Sequence, residues 1–79
     1  MKKNLIEMED AQKGVISSLE GGDFFRNKLS AMGISEGARI QKITGHFMGG
    51  PVLIKVRNAE IAVGRGMAEK IIVEVEESL

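Results

Sequence analysis

Glycine spacing is the feature that most limits how this chain can fold. Ten of the 79 residues are glycine, and they divide the chain into short pieces. Because glycine permits sharp turns, pieces of this length are typical of short strands joined by tight connections. The chain has no cysteine, so neither disulfides nor a thiolate metal site can support it. At this size we expect one domain, residues 1–79, that depends on a single core.

Alternation of apolar and polar residues predicts about five strands, with one helical turn at 64–70 between the last two. Ile40 and Ile43 stand three apart, where a regular strand would place them two apart, which indicates a bulge. Asn58-Ala59 is predicted to be a two-residue hairpin turn. The predicted strands are 14–19, 38–44, 52–57, 60–63 and 71–76.

One short helix is predicted over 24–32, after the first of these strands. Asp23 has the side chain of a typical N-cap, since its carboxylate can accept from the free amides of the first turn. Gly33 fits the left-handed position that ends many helices, and Ile34 can close the apolar contact of such a cap. The residues predicted to share the inward face of the helix are Phe25, Leu29 and Met32.

The ends of the chain are polar and acidic. Residues 1–12 have little pattern and are predicted to form an N-terminal arm. Eleven Lys and Arg balance eleven Asp and Glu, whereas nucleic-acid-binding domains usually carry a basic excess, so no nucleic-acid partner is expected. No apolar run approaches membrane-spanning length and the N-terminal residues do not form a signal peptide. A cytoplasmic protein that reaches a membrane only through a partner is therefore expected.

Catalytic and metal-binding groups are scarce in this sequence. His46 is the only histidine, there is no cysteine, and no serine stands in a nucleophile motif. One histidine cannot anchor a transition-metal site, and no carboxylates cluster beside it. We therefore expect no catalytic residues, no metal ligands and no cofactor.

A partner-binding surface is the remaining hypothesis, formed by the inserted helix and the glycine-rich loop 45–51. Phe47 and Met48 stand at the tip of that loop, where they either contact a partner or fold back to cap the barrel. Leu53 alternates onto the outer face of its strand, where it packs under the helix or joins a contact patch. The basic candidates, which solvated surface charges would equally explain, are Arg26, Lys28 and Arg65.

The ordered set of glycine-bearing elements resembles the FeoA family. Its most distinctive part is Leu-x-x-Met-Gly-Ile-x-x-Gly, and the resemblance extends from about residue 5 to residue 76. The matching pieces outside this part are 14–16, 21–22, 50–52, 61–64, 68 and 71–73. The residues of structural importance in this pattern are Leu29, Met32, Gly33, Ile34, Gly37, Gly50 and Pro51.

The resemblance implies an SH3-like barrel with the helix inserted after the first strand, and a role in ferrous iron uptake. Members of the family are thought to bind the cytoplasmic, GTPase-bearing part of the iron transporter FeoB and to modulate it. The family brings no catalytic or metal motif, so iron would be the cargo of the pathway. Two alternatives remain: a nucleic-acid-binding barrel, and a module that self-associates through an exposed strand edge at 71–76.

Overall fold

The computed structural model describes residues 1–45 and 49–77. Within these ranges the chain forms six strands and two helices. In chain order they are β1 (Lys2–Asn4), β2 (Lys13–Leu19), α1 (Asp23–Ala31), β3 (Arg39–Gly45), β4 (Val52–Val56), β5 (Ala59–Val63), α2 (Arg65–Ala68) and β6 (Ile71–Val75). The prediction of a mainly β domain with an inserted helix is confirmed, and β1 is one strand more than the pattern indicated.

All strand pairs are antiparallel, and the sheet has the order β1-β6-β2-β3-β4-β5. The alternation along each strand sends one set of side chains inward. In β4, Val52, Ile54 and Val56 are buried while Lys55 is exposed. The buried residues of β6 are Ile71, Val73 and Val75. The core is therefore aliphatic, and it lies on the face of the sheet that the period-two pattern marked as apolar.

Helix α1 ends as its sequence predicted. Gly33 has φ of 85°, and its N–H donates to the carbonyl of Ser30 at 2.9 Å. The N–H of Ile34 donates to the carbonyl of Leu29, also at 2.9 Å, which completes a Schellman motif. Leu29 and Ile34 are fully buried, so the cap fixes the end of the helix against the core.

Two local predictions are wrong by one residue. Asp23 is the first residue of α1 and not its N-cap, which is Gly22 without a side-chain hydrogen bond. The carboxylate of Asp23 still lies in the first turn, where the helix dipole favours a negative charge. The pairing of Val56 with Ala59 places the hairpin turn at Arg57-Asn58 and not at Asn58-Ala59. Arg57 has a positive φ of 57° in this turn.

The predicted bulge in β3 is confirmed by the register shift between Lys42 and Thr44 in its pairing with β4. On the N-terminal side of the bulge, Ile40 and Lys42 are both buried. Lys42 is the only buried charged residue among those described. A lysine in this position requires hydrogen-bond acceptors inside the protein.

The N-terminal segment supplies these acceptors. The sequence had predicted an arm over residues 1–12, whereas the structure packs this segment into the domain. The ammonium of Lys42 donates to the carbonyls of Ile6 at 3.1 Å and Met8 at 2.5 Å. Leu5 and Met8 belong to the core. Desolvation of its ammonium lowers the pKa of Lys42, with the carboxylate of Asp10 acting in the opposite direction. Residues 1–12 are thus integrated into the domain.

Strand β1 pairs with β6, so β6 is an interior strand between β1 and β2. The hypothesis of self-association through an exposed edge at 71–76 is therefore wrong, because both sides of this strand are already paired. The edges of the sheet are β1 and β5.

Replacing Gly33 by alanine should destabilise the protein by about 1 kcal/mol, because φ of 85° disfavours any residue with a Cβ. The new Cβ would have 3.8 Å to its nearest neighbour, so the cost comes from the backbone and not from a clash. Gly66→Ala is the matched control, since a Cβ there meets nothing within 4 Å, its φ is not positive, and it lies inside α2, where alanine is favoured. Urea unfolding of both variants measures the difference, and equal losses would contradict the prediction.

Replacing Lys42 by methionine should destabilise the protein by about 2 kcal/mol, because the carbonyls of Ile6 and Met8 lose a charged donor. Lys55→Met is the matched control, since Lys55 is exposed on β4 and its replacement should change stability by less than about 0.5 kcal/mol. Chemical denaturation measures both changes. If the two variants unfold at the same denaturant concentration, Lys42 does not hold the N-terminal segment.

Candidate partner-binding surface

Helix α1 presents an exposed face to solvent, here called the α1 outer face and defined by Phe24, Asn27, Lys28 and Ala31. These positions recur at the spacing of one helical side, and all four residues are exposed. Phe24 keeps 84% of its surface exposed. Apart from Met1, it is the only large hydrophobic residue classed as exposed in the described part of the chain.

The neighbouring Phe25 has the opposite environment. It packs against the core, and an added Cβ at Gly21 would approach its ring to within 2.4 Å. The ammonium of Lys70 lies 5.6 Å from the centre of the same ring. Consecutive helical residues point about 100° apart, so the Phe24-Phe25 pair places one ring inward and one outward. Sequence reasoning selected Phe25 for the core but did not select Phe24, although the same helical spacing indicates its exposure.

Arg26 was expected on the partner surface, and the structure shows it bonded within the chain. Its guanidinium donates to the carbonyl of Leu19 at 3.1 Å and pairs with Glu36 at 3.2 Å. These contacts connect α1 to the end of β2 and to the turn that precedes β3. Arg26 therefore orients the helix, and its side chain remains partly exposed at 41%.

The other expected contact residues lie on separate elements. Lys28 is exposed on the α1 outer face, and Arg65 is exposed at the start of α2. Leu53 is half-buried on the outer face of β4, where its cross-strand neighbour is Ala62. Phe47 and Met48 lie outside the described residues.

Five of the seven motif residues, from Leu29 to Gly37, form a structural unit around the end of α1. Leu29 and Ile34 are buried, and Met32 packs against the core. Gly37 has φ of 90°, and its N–H donates to the carbonyl of Ile16 at 2.8 Å, which docks the turn onto β2. Gly50 and Pro51 lead into β4.

Few surface charges form ion pairs among the described residues. Arg39 pairs with Glu76 across the sheet, and the N-terminal ammonium of Met1 lies 2.6 Å from a carboxylate oxygen of Glu74. The hydrogen bond from that ammonium lowers the pKa of Glu74. Over residues 1–45 and 49–77, no group of three His, Cys, Asp or Glu side chains is placed to hold a metal ion.

The helices in the described part of the chain are all too short or too polar to cross a membrane.

Comparison with known proteins gives matches over nearly the whole chain. The model of the FeoA domain family matches residues 3–75. The chain is 32% identical to a protein of Methanocaldococcus jannaschii named as Fe(2+) transport protein A. The match extends over 66 residues and covers 84% of this chain and 78% of that protein.

Solved structures agree with this match. The crystal structure of an iron uptake regulatory protein, FeoA, is 36% identical, has a TM-score of 0.89, and covers 96% of this chain and 100% of its own. The FeoA of Stenotrophomonas maltophilia, described as an SH3 domain protein, has a TM-score of 0.78 at 21% identity. That match covers 95% of this chain and 96% of the other. The expected SH3-like fold is thereby confirmed. The chain belongs to the FeoA domain family, whose members are accessories of ferrous iron transport.

Proposed function

We propose that this protein is a small cytosolic, non-catalytic module that binds the cytoplasmic region of a FeoB-type iron transporter and modulates its activity. Family membership and the names of its relatives support a role in ferrous iron transport. The observation that carries the binding role is the exposed ring of Phe24 on the α1 outer face.

Phe24 has the properties of an anchor residue. Leaving a phenylalanine ring in water forgoes about 1.5 to 3 kcal/mol that its burial would contribute. Interfaces place such rings at their centre and surround them with polar residues that exclude water. Asn27 and Lys28 provide a polar rim one turn further along the helix. The α1 outer face therefore fits a partner with an apolar pocket.

Lys28 gives this surface a direction. The ammonium of Lys28 extends from the same face as Phe24, and Lys28 makes no ion pair within the described ranges. A rim charge of this kind orients an approaching partner and accelerates association more than it adds affinity. The surface thus favours an acidic margin around the pocket of the transporter region.

Replacing Phe24 by serine should weaken binding to the purified FeoB cytoplasmic region by about tenfold or more, because the ring is the largest apolar group on the α1 outer face. Titration of isotope-labelled protein, followed by amide chemical shifts, measures both the affinity and the contact surface. Ser30→Ala is the matched control, because Ser30 is exposed on α1 but lies outside the α1 outer face, and this variant should bind as the native protein does.

Because Phe24 is exposed, its replacement should leave the fold intact, and the unchanged amide spectrum outside α1 verifies this. If Phe24→Ser binds as tightly as the native chain, the α1 outer face is not the contact surface. If the native chain shows no shifts with FeoB but salt-dependent shifts with RNA, the nucleic-acid alternative replaces the proposal.

The loop 45–51 is proposed as a second contact, on the strength of Phe47 and Met48 between its glycines. The double variant Phe47→Ser/Met48→Ser should weaken FeoB binding while the core amides keep their positions, because two apolar groups leave the interface. The same titration measures it. Native affinity in this variant would remove the loop from the interface and leave α1 alone.

A further inference from the structure

Among the strands that the structure describes, β5 pairs on one side only. That side pairs with β4, and the two-residue turn makes Val56 and Ala59 a hydrogen-bonded pair. Hydrogen-bonded and non-hydrogen-bonded pairs alternate along an antiparallel ladder, so Ile61 also bonds to β4. The N–H and C=O groups of Glu60 and Ala62 therefore point away from the sheet. In residues 1–45 and 49–77, no backbone or side-chain group pairs with these four.

We propose that a second copy of this chain pairs with β5, antiparallel and around a two-fold axis at Ile61. In this register Glu60 of each copy lies opposite Ala62 of the other. Each Glu60–Ala62 pair exchanges two N–H···O bonds, and the two pairs together make four bonds. The four free groups on each copy are thereby satisfied. The six-stranded sheets of the two copies then join into one continuous sheet.

The side chains on both faces of the joined edge suit this register. Ile61 is half-buried and lies on the core side of the sheet, as does the buried Val63. The two Ile61 side chains meet as a close, non-hydrogen-bonded pair, which favours apolar contact. On the outer face Glu60 meets the small Ala62, and it keeps its cross-strand neighbour Lys55 within its own copy.

The neighbouring registers are less favourable. An axis at Glu60 would place two glutamates directly opposite each other, which destabilises a sheet. An axis at Ala62 would place Glu60 against Gly64, whose carbonyl already accepts from the N–H groups of Met67 and Ala68. The axis at Ile61 avoids both problems. Beyond the ends of the strand, Arg57 of one copy lies opposite Arg65 of the other. The like charges limit the pairing to β5 itself.

The opposite edge is less suited to this pairing. Strand β1 is three residues long and contains Lys2 and Lys3. Short, lysine-rich edges resist strand addition. Strand β5 has five residues, with Glu60 as its only charge. The pairing is independent of transporter binding, which involves the α1 outer face and the loop 45–51.

The test is the oligomeric state of the full chain over a dilution series, measured by sedimentation equilibrium and by the amide shifts of Glu60 and Ala62. A reversible dimer is expected at high concentration. Ala62→Pro removes two of the four bonds without touching β4, and proline is tolerated at such an edge position. We expect its dissociation constant to rise by about tenfold or more. Ala62→Ser, which keeps the N–H, should dimerise as the native chain does.

A charge exchange tests the register without proline. Ala62→Glu places a glutamate opposite Glu60 of the second copy and should abolish the dimer. Adding Glu60→Lys together with Lys55→Glu to this variant creates opposite-charge pairs between the copies and keeps one between β4 and β5 within each copy, and should restore the dimer. A chain that stays monomeric at every concentration, or a dimer that neither Ala62→Pro nor Ala62→Glu weakens, would overturn the proposal. Monomers whose Glu60 and Ala62 amides shift with the FeoB region would assign the edge to a strand of that partner instead.

Discussion

The buried side chain of Lys42 attaches the N-terminal segment to β3. Its side chain bonds to the carbonyls of Ile6 and Met8, and its backbone exchanges bonds with Ala11 and Gln12. The N-terminal segment is thus attached at four points to one residue of β3. A buried charge is costly unless it is hydrogen-bonded. The lysine therefore needs the carbonyls of this segment, and its hydrogen bonds in turn fix the path of the segment.

Several features of the fold depend on that attachment. With residues 5–8 held in place, Leu5 and Met8 cover part of the core that a sheet of this size cannot cover alone. The same path carries β1 to β6, which becomes an interior strand. Of the strands within 1–45 and 49–77, only β5 then remains as a long edge. The choice of which sheet edge stays exposed therefore follows from how the N-terminal segment is anchored.

Local pattern in the sequence was sufficient for most of this fold. The period-two alternation of β4 and β6, the bulge after Lys42 and the glycine cap of α1 depend on residues close together in the chain, and each was predicted. The errors were small where a competing residue could take the same role, as Gly22 does for Asp23. The family resemblance added the SH3-like closure, which no local pattern encodes.

The N-terminal segment was missed because its contacts are distant in sequence. Lys42 bonds to residues 34 and 36 positions away, and no periodicity in a polar stretch of twelve residues indicates such a contact. A lysine at an inward position of a strand was the available signal, since an alternation that directs a charge into the core requires acceptors from elsewhere.

The candidate surfaces follow the same division between local and distant information. The exposure of Phe24 is local, because the inward position of Phe25 determines it. The engagement of Arg26 with Leu19 and Glu36 is tertiary, and it changes the meaning of a charge that the sequence alone presented as free. One hydrogen bond and one ion pair of Arg26 orient α1, while Phe24 and Lys28 remain exposed on its outer face. A basic residue next to an exposed ring is therefore better assigned by its hydrogen-bond partners than by its charge.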